Sequence, residues 1–140
     1  MNVSRILLPV DGSRPSDAAT DMAISIAQDA GAAVILLHVR RPVPTGLGEP
    51  NAGQLLTLLT DGAEAVIMHY RGRLQAAGVD FTELVVGGDV GETIVTVAGA
   101  EKCELIVMGS KGKSDLEGLI LGSATHKVLH ATPLPVLVVK

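Results

Sequence analysis

Short apolar runs alternate with longer amphipathic runs along the whole chain. The short runs are rich in Val, Ile and Leu, which favours strands that are buried on both faces. Because strands that alternate with helices build strand–helix–strand units, the pattern predicts an α/β fold, a parallel sheet with helices on both faces. The predicted strands cover 5–10, 33–39, 81–86, 104–109 and 135–139, and the predicted helices cover 16–31, 54–78, 91–102 and about 120–131.

The composition predicts one folded domain without affinity for nucleic acid. A chain of 140 residues suits a single unit, so we expect one domain over residues 1–140. Hydrophobic residues make up 47% of the chain, which is too many for a disordered segment. With one Tyr, one Phe and no Trp, the chain has no aromatic platform on which bases could stack. A formal net charge of −4 gives no basic surface for a duplex.

The lengths of the apolar stretches and the single cysteine predict a cytoplasmic protein with no membrane segment. No apolar stretch reaches the roughly 18 residues that a transmembrane helix needs. The first apolar stretch, within "MNVSRILLPVDGS", is too short for the core of a signal peptide. Cys103 is the single cysteine, so the chain cannot form an internal disulfide, and a reducing compartment is expected. We expect Cys103 to be a structural thiol.

A glycine-rich segment, "MGSKGKSDLEGLILGS", separates the fourth predicted strand from the last predicted helix. Glycines let backbone N–H groups face an anion, and the start of the following helix adds positive potential. Lys111 and Lys113 add positive charge, although surface lysines are usually solvated. The segment is not a P-loop, because Val107 stands where that motif needs its first glycine. The spacing alone leaves two interpretations open: a phosphate site and a flexible surface loop.

The spacing Gly109-x-x-Gly112, then nine residues, then Gly122-Ser123 resembles the pattern of the nucleotide-binding class of the universal stress protein family. The segments "ILLPVDGS", "LLHV" and "GSATHKVLHATPLPVLVV" are similar to other parts of that family. The resemblance implies a doubly wound, Rossmann-like sheet of five parallel strands in the order 3-2-1-4-5. It also implies binding of ATP together with a divalent cation, Mg²⁺ or Mn²⁺.

The resemblance also assigns site residues by position. It implies phosphate and ribose contacts from Gly109, Gly112, Gly122 and Ser123, adenosine contacts from Pro9, Val10, Asp11 and Val39, and lining of the site by Met108 and Ala124. Because the loop is expected to lie outside the packed sheet, the fold is expected to survive a side chain at either Gly109 or Gly122. The chain departs from the family at Val90, where Pro is common, and at Gly91, where Ala is usual, and both changes are expected to loosen the third helix.

Two of these residues have a simpler interpretation. Ser123 stands at a helix start, where serine is a common N-cap, and the capping role is compatible with a phosphate contact. Asp11 lies in "VDGS", which is good turn chemistry, and a carboxylate beside phosphates is repulsive. As a ligand it would have to face the adenine amino group, the ribose hydroxyls or a cation.

Other candidates for chemistry are weaker. His126 and His130 share a helix face, but the sequence shows no third ligand for zinc. No catalytic residue is assigned, because no general base is evident near the loop; Glu117 is the nearest acid and is expected to be solvated. We therefore expect a regulatory ATP-binding protein. The alternatives are an enzyme that slowly hydrolyses ATP or transfers its phosphate, and an interaction module without nucleotide.

The last strand, 135–139, predicts a homodimer. In the implied strand order it lies at an edge of the sheet, where a bare apolar strand is an aggregation hazard. A twofold partner that presents the same strand would satisfy both edges by antiparallel pairing. The alternative is a monomer shielded by the loop at 40–53, which is disfavoured because that loop follows the second strand, on the other side of the sheet.

Overall fold

The computed structural model describes residues 2–140, which form a five-stranded sheet with helices between the strands. In chain order the elements are β1 (Arg5–Pro9), α1 (Arg14–Ala30), β2 (Ala33–Arg40), α2 (Asn51–Ala76), β3 (Phe81–Gly87), α3 (Val90–Ala100), β4 (Leu105–Gly109), α4 (Ser123–Ala131) and β5 (Val136–Val139). Every strand pairing is parallel, and the order across the sheet is β3-β2-β1-β4-β5. The predicted fold class and strand order are confirmed.

Side chains alternate between the two faces of the sheet along β1. Ile6 and Leu8 pack with α1 and α2 on one face, whereas Leu7 packs with α3 and α4 on the other. All three side chains are fully buried, and each such burial stabilises the fold by about 1.5–3 kcal/mol. The three central strands, β1, β2 and β4, contain continuous apolar runs because helices cover both of their faces.

All four helix starts differ from their predicted positions: α2 begins at Asn51 rather than 54 and α3 at Val90 rather than 91. The shifts of α1 and α4 have clear local reasons. α1 begins at Arg14 rather than 16, because the Ser13 hydroxyl caps it by accepting a hydrogen bond from Ser16 N–H (3.2 Å). α4 begins only at Ser123, because Gly122 has an extended backbone (φ −76°, ψ 165°) and is the N-cap. The Gly122 N–H donates to Ser110 O (2.7 Å), which holds the start of α4 against the end of β4.

The chain reverses its direction across the sheet between β1 and β4. The connection after β1 leads to β2 on one side, whereas β4 lies on the other side and is followed by β5. Parallel strands that diverge in this way leave a crevice beyond their carboxyl ends, which is where open α/β sheets bind ligands. Separately, no helix within residues 2–140 is long and apolar enough to cross a membrane.

Candidate functional site

A cleft opens where the carboxyl ends of β1 and β4 diverge, and its walls are mainly apolar. Most of the residues that the sequence assigned to a ligand line this cleft: Pro9, Val10, Asp11, Val39, Met108, Gly109, Gly112 and Ala124. Its volume is about 80 Å³, below the roughly 300–1,000 Å³ of an enclosed ligand pocket. A ligand of nucleotide size would therefore lie partly outside the cleft.

A second, polar cavity of about 230 Å³ adjoins the first at the N-terminus of α4. Asp11, Gly112 and Ala124 line both cavities, whereas Ser123 belongs to the polar one. Gly122 lies beside them, buried at the start of α4. The fold thus brings all ten assigned residues to one edge of the sheet, with an apolar end and a polar end.

Asp11 holds the glycine-rich loop against the end of β1. Its Oδ1 accepts hydrogen bonds from Ser13 N–H and Ser16 Oγ–H (both 2.9 Å), and its Oδ2 accepts one from Lys113 N–H (2.9 Å). Burial alone would raise the pKa of Asp11, but the hydrogen bonds from Ser13, Lys113 and Ser16 outweigh it and lower the pKa below its usual value. The turn role of Asp11 is therefore present in the fold, and Asp11 also lines the cleft.

Gly109 packs inside the domain, which corrects the expectation that the fold survives a side chain at this position. Gly109 is the last residue of β4 and is buried. A Cβ at Gly109 would meet Pro15 of α1, at 2.6 Å from Pro15 Cβ and 2.8 Å from Pro15 C. The glycine lets α1 approach β4, so Gly109 has a structural role whatever it contacts in the cleft.

Gly112 and Gly122, the other two glycines of the Gly109-x-x-Gly112…Gly122-Ser123 pattern, allow other parts of the chain to pack closely against the loop. A Cβ at Gly112 would lie 2.5 Å from Asp11 Oδ2. A Cβ at Gly122 would lie 2.9 Å from Lys111 Cα and would overlap the carboxylate of Asp115. The loop can fold over the start of α4 only because neither glycine has a side chain.

Asp115 is the most informative residue that the sequence reasoning missed. Its Oδ2 accepts a hydrogen bond from Gly112 N–H (2.7 Å), and its Oδ1 accepts from Ser123 N–H (3.3 Å) and Ser123 Oγ–H (3.4 Å). The sequence did contain a sign of this role, because a carboxylate inside a glycine-rich loop can accept hydrogen bonds from the loop's own backbone N–H groups. The cleft also contains Lys111, which the sequence indicates as positive charge in the loop, and five residues that only the packing places there: Ser16, Leu37, Val90, Ile94 and Thr125.

The start of α3 is held firmly despite the two departures from the family pattern. Asp89 caps the helix by accepting from Glu92 N–H (3.0 Å) and from Lys127 Nζ of α4 (3.1 Å). A Cβ at Gly91 would meet the Lys127 side chain at 2.8 Å, so the glycine permits this approach of α4. The expected loosening is therefore opposed by the cap and by contact with α4.

The remaining candidates stay apart from the cleft. His126 and His130 stack on one face of α4 with ring centroids 4.5 Å apart. Within residues 2–140, no group of three or more His, Cys, Asp or Glu side chains is placed to hold a metal ion. Cys103 is buried, and burial raises the pKa of its thiol to about 11.

Together, the fold and the cleft define an open parallel α/β sheet with a crevice at its switch point, the place where such sheets commonly bind ligands. The family model described as the universal stress protein family matches residues 2–140, and the chain belongs to that family. A universal stress protein of Thermus aquaticus is 38% identical over 136 residues, covering 96% of this chain and 97% of that protein.

Solved structures agree with this assignment. The structure of MJ0577, a universal stress protein of Methanocaldococcus jannaschii, has a TM-score of 0.90 and 31% identity and covers 100% of this chain and 97% of its own. A universal stress protein solved in complex with cAMP has a TM-score of 0.74 and 27% identity, covering 100% of this chain and 98% of its own.

Proposed function

We propose that residues 1–140 form a single nucleotide-binding domain that binds ATP in the cytoplasm and regulates a stress response through nucleotide-dependent conformation or partner contact. The observation that carries the proposal is the meeting of Gly112, Gly122 and Ser123 at the N-terminus of α4, beside an apolar cleft. A helix N-terminus with close backbone N–H groups favours phosphate, and the apolar cleft favours a base. A related structure holds cAMP, which is also an adenine nucleotide.

In this proposal the apolar end of the site binds the adenosine and the polar end binds the phosphates. The adenosine lies against the apolar wall formed by Pro9, Val10, Val39, Met108 and Ala124. The phosphates lie over Gly112, Gly122 and Ser123, with Gly109 at the junction. Asp11 faces the ribose hydroxyls, because a carboxylate accepts hydrogen bonds from hydroxyls and repels phosphate.

We propose that a divalent cation, Mg²⁺ or Mn²⁺, accompanies the phosphates. The carboxylates of Asp11, Asp89 and Asp115 line the polar cavity but already accept backbone N–H groups. Mg²⁺ is commonly held by one or two carboxylates together with substrate phosphates. The fit is therefore to a cation that arrives with the nucleotide and is held chiefly by its phosphates.

Mass spectrometry of the nucleotide released from denatured, freshly purified protein tests the proposal. We expect ATP, or another adenine nucleotide, at a substantial fraction of one per chain. ADP that accumulates during incubation of the ATP-loaded protein would instead favour the hydrolytic alternative. A protein that releases no nucleotide and also fails to take up ATP in equilibrium dialysis would support the nucleotide-free alternative.

We also propose that the protein is a homodimer joined through its last strand, predicted at 135–139. β5 pairs with β4 on one side, and its Val136–Val139 side chains are only half-buried within residues 2–140. Antiparallel pairing with a second β5 would satisfy its free backbone groups and cover these side chains.

Val138→Asp is expected to convert the dimer to a monomer, because it places a charge in each half of a twofold apolar interface. Sedimentation equilibrium at micromolar concentration measures the change. Val85→Asp is the matched control, since Val85 is 43% exposed on β3 at the opposite edge of the sheet. A wild-type monomer, or equal dissociation by both substitutions, would contradict the β5 interface.

A further inference from the structure

The carboxylate of Asp115 lies where the loop and the start of α4 point their hydrogen-bond donors. It accepts from Gly112 N–H at 2.7 Å and from both the N–H and the hydroxyl of Ser123 at 3.3 and 3.4 Å. A carboxylate and a phosphate both offer anionic oxygens to such donors. The donors proposed for the nucleotide phosphate are therefore already used by an anion of the chain itself.

The position of this carboxylate is also the position that a ligand would need. A Cβ on Gly122 would lie 2.8 Å from Asp115 Cγ, so the carboxylate fills the space that the glycine leaves open at the helix start. Asp115 and a phosphate cannot both occupy that space.

The charge around Asp115 makes simultaneous occupancy still less favourable. The polar cavity is lined by the carboxylates of Asp11, Asp89 and Asp115. Lys127 also lines it, but its ammonium group is paired with Asp89 at 3.1 Å. A phosphate that entered beside Asp115 would meet a like charge, whereas a phosphate that replaced it would gain the three donors.

We propose that Asp115 is an internal competitor for the phosphate-binding donors, and that a nucleotide phosphate binds by displacing its carboxylate. The inference rests on the proposed function, because it specifies how a nucleotide gains access to that same site. Asp115 then lowers the affinity for nucleotide and links occupancy of the site to the position of the segment that carries it.

That segment, 113–121, contains no helix or strand and is tied to the end of β1 through Lys113 N–H, which donates to Asp11 Oδ2 (2.9 Å). Its own backbone hydrogen bonds are long: Asp115 N–H to Gly112 O is 3.3 Å and Leu119 N–H to Leu116 O is 3.4 Å. It also exposes large aliphatic side chains, with Leu116 at 76% and Ile120 at 79% exposure. Release of Asp115 would therefore free an apolar surface segment when a nucleotide binds.

The opposing interpretation is that Asp115 is only a long-range cap of α4, whose own N-cap, Gly122, has no side chain to offer. The two interpretations differ in their effect on affinity. Loss of a cap loosens the phosphate site, so affinity falls or stays the same. Loss of a competitor raises affinity, even if the free protein becomes less stable.

Calorimetric titration of the full chain with ATP and Mg²⁺ separates these cases. We expect Asp115→Asn and Asp115→Ala to bind ATP about fivefold to tenfold more tightly than wild type, because a charge-assisted competitor is gone. Glu117→Gln is the matched control: it removes one negative charge from an exposed position of the same segment. It is expected to leave the affinity within about twofold.

Hydrogen exchange of 113–121 gives a second readout. ATP is expected to increase exchange of this segment in the wild type, and Asp115→Asn is expected to show the raised exchange already without ATP. Wild-type binding that Asp115→Asn leaves unchanged or weakens, an equal gain from Glu117→Gln, or protection of 113–121 by ATP would each overturn the competitor role. Failure of both wild type and Asp115→Asn to bind ATP would overturn the proposed function, and the inference with it.

Discussion

Replacing Gly109 with valine is expected to destabilise the fold by about 3 kcal/mol or more, because the new side chain has no space at the contact of α1 with β4. Its Cβ would lie 2.6 Å from Pro15 Cβ and 3.1 Å from Pro15 O. Two of the three nearest atoms belong to the backbone of α1 and cannot rotate away. The whole start of α1 would have to move off the sheet.

Urea denaturation followed by circular dichroism measures this loss as a lower midpoint. Gly62→Val is the matched control, because Gly62 lies in α2 and a Cβ there meets no atom within 4 Å. We expect the control to unfold at the wild-type midpoint or slightly above it, since glycine is a poorer helix former than valine. An unchanged midpoint for Gly109→Val would show that α1 does not need this close approach.

The fold was largely predictable because four of the five strands, β1, β2, β4 and β5, contain an uninterrupted aliphatic run; β3, at an edge of the sheet, is interrupted by Thr82 and Glu83. Such runs mark strands covered on both faces, and the clusters on the two sides of β1 show that cover. Helix ends were less predictable because they depend on local hydrogen bonds. The side chain of Ser13 starts α1, whereas the backbone of Gly122 delays the start of α4.

The location of the candidate site was predictable, but the contacts that Gly109 and Asp115 make within it were not. Strand alternation and glycine spacing place the loop beyond β4, and the structure brings the assigned residues to one edge. The contact of Gly109 with Pro15 could not be read from the sequence, because it depends on how closely α1 crosses β4. The same holds for Asp115, whose role depends on a loop that folds back onto Ser123.

Gly122→Val is expected to have the largest effect on ligand binding. The valine side chain would occupy the space at the start of α4 and would press on the loop backbone, 2.9 Å from Lys111 Cα. A phosphate could then no longer reach the N–H groups of Gly112 and Ser123. We expect ATP affinity to fall by at least about 100-fold, or roughly 2.7 kcal/mol.

This substitution and Asp115→Asn are expected to act in opposite directions, although both disturb the position that the Asp115 carboxylate occupies. Asparagine is neutral, so it competes less strongly for the donors and a phosphate displaces it more easily, whereas valine at Gly122 fills the space permanently. The pair therefore separates loss of a competitor from loss of the site itself.

Calorimetric titration of wild type, Gly122→Val and Gly62→Val with ATP is the most direct test that nucleotide phosphate binds over the start of α4. Circular dichroism confirms that each protein is folded. We predict saturable binding to wild type and to Gly62→Val, and no measurable binding to a folded Gly122→Val protein. Undiminished ATP affinity in folded Gly122→Val would contradict the assignment of the phosphate site.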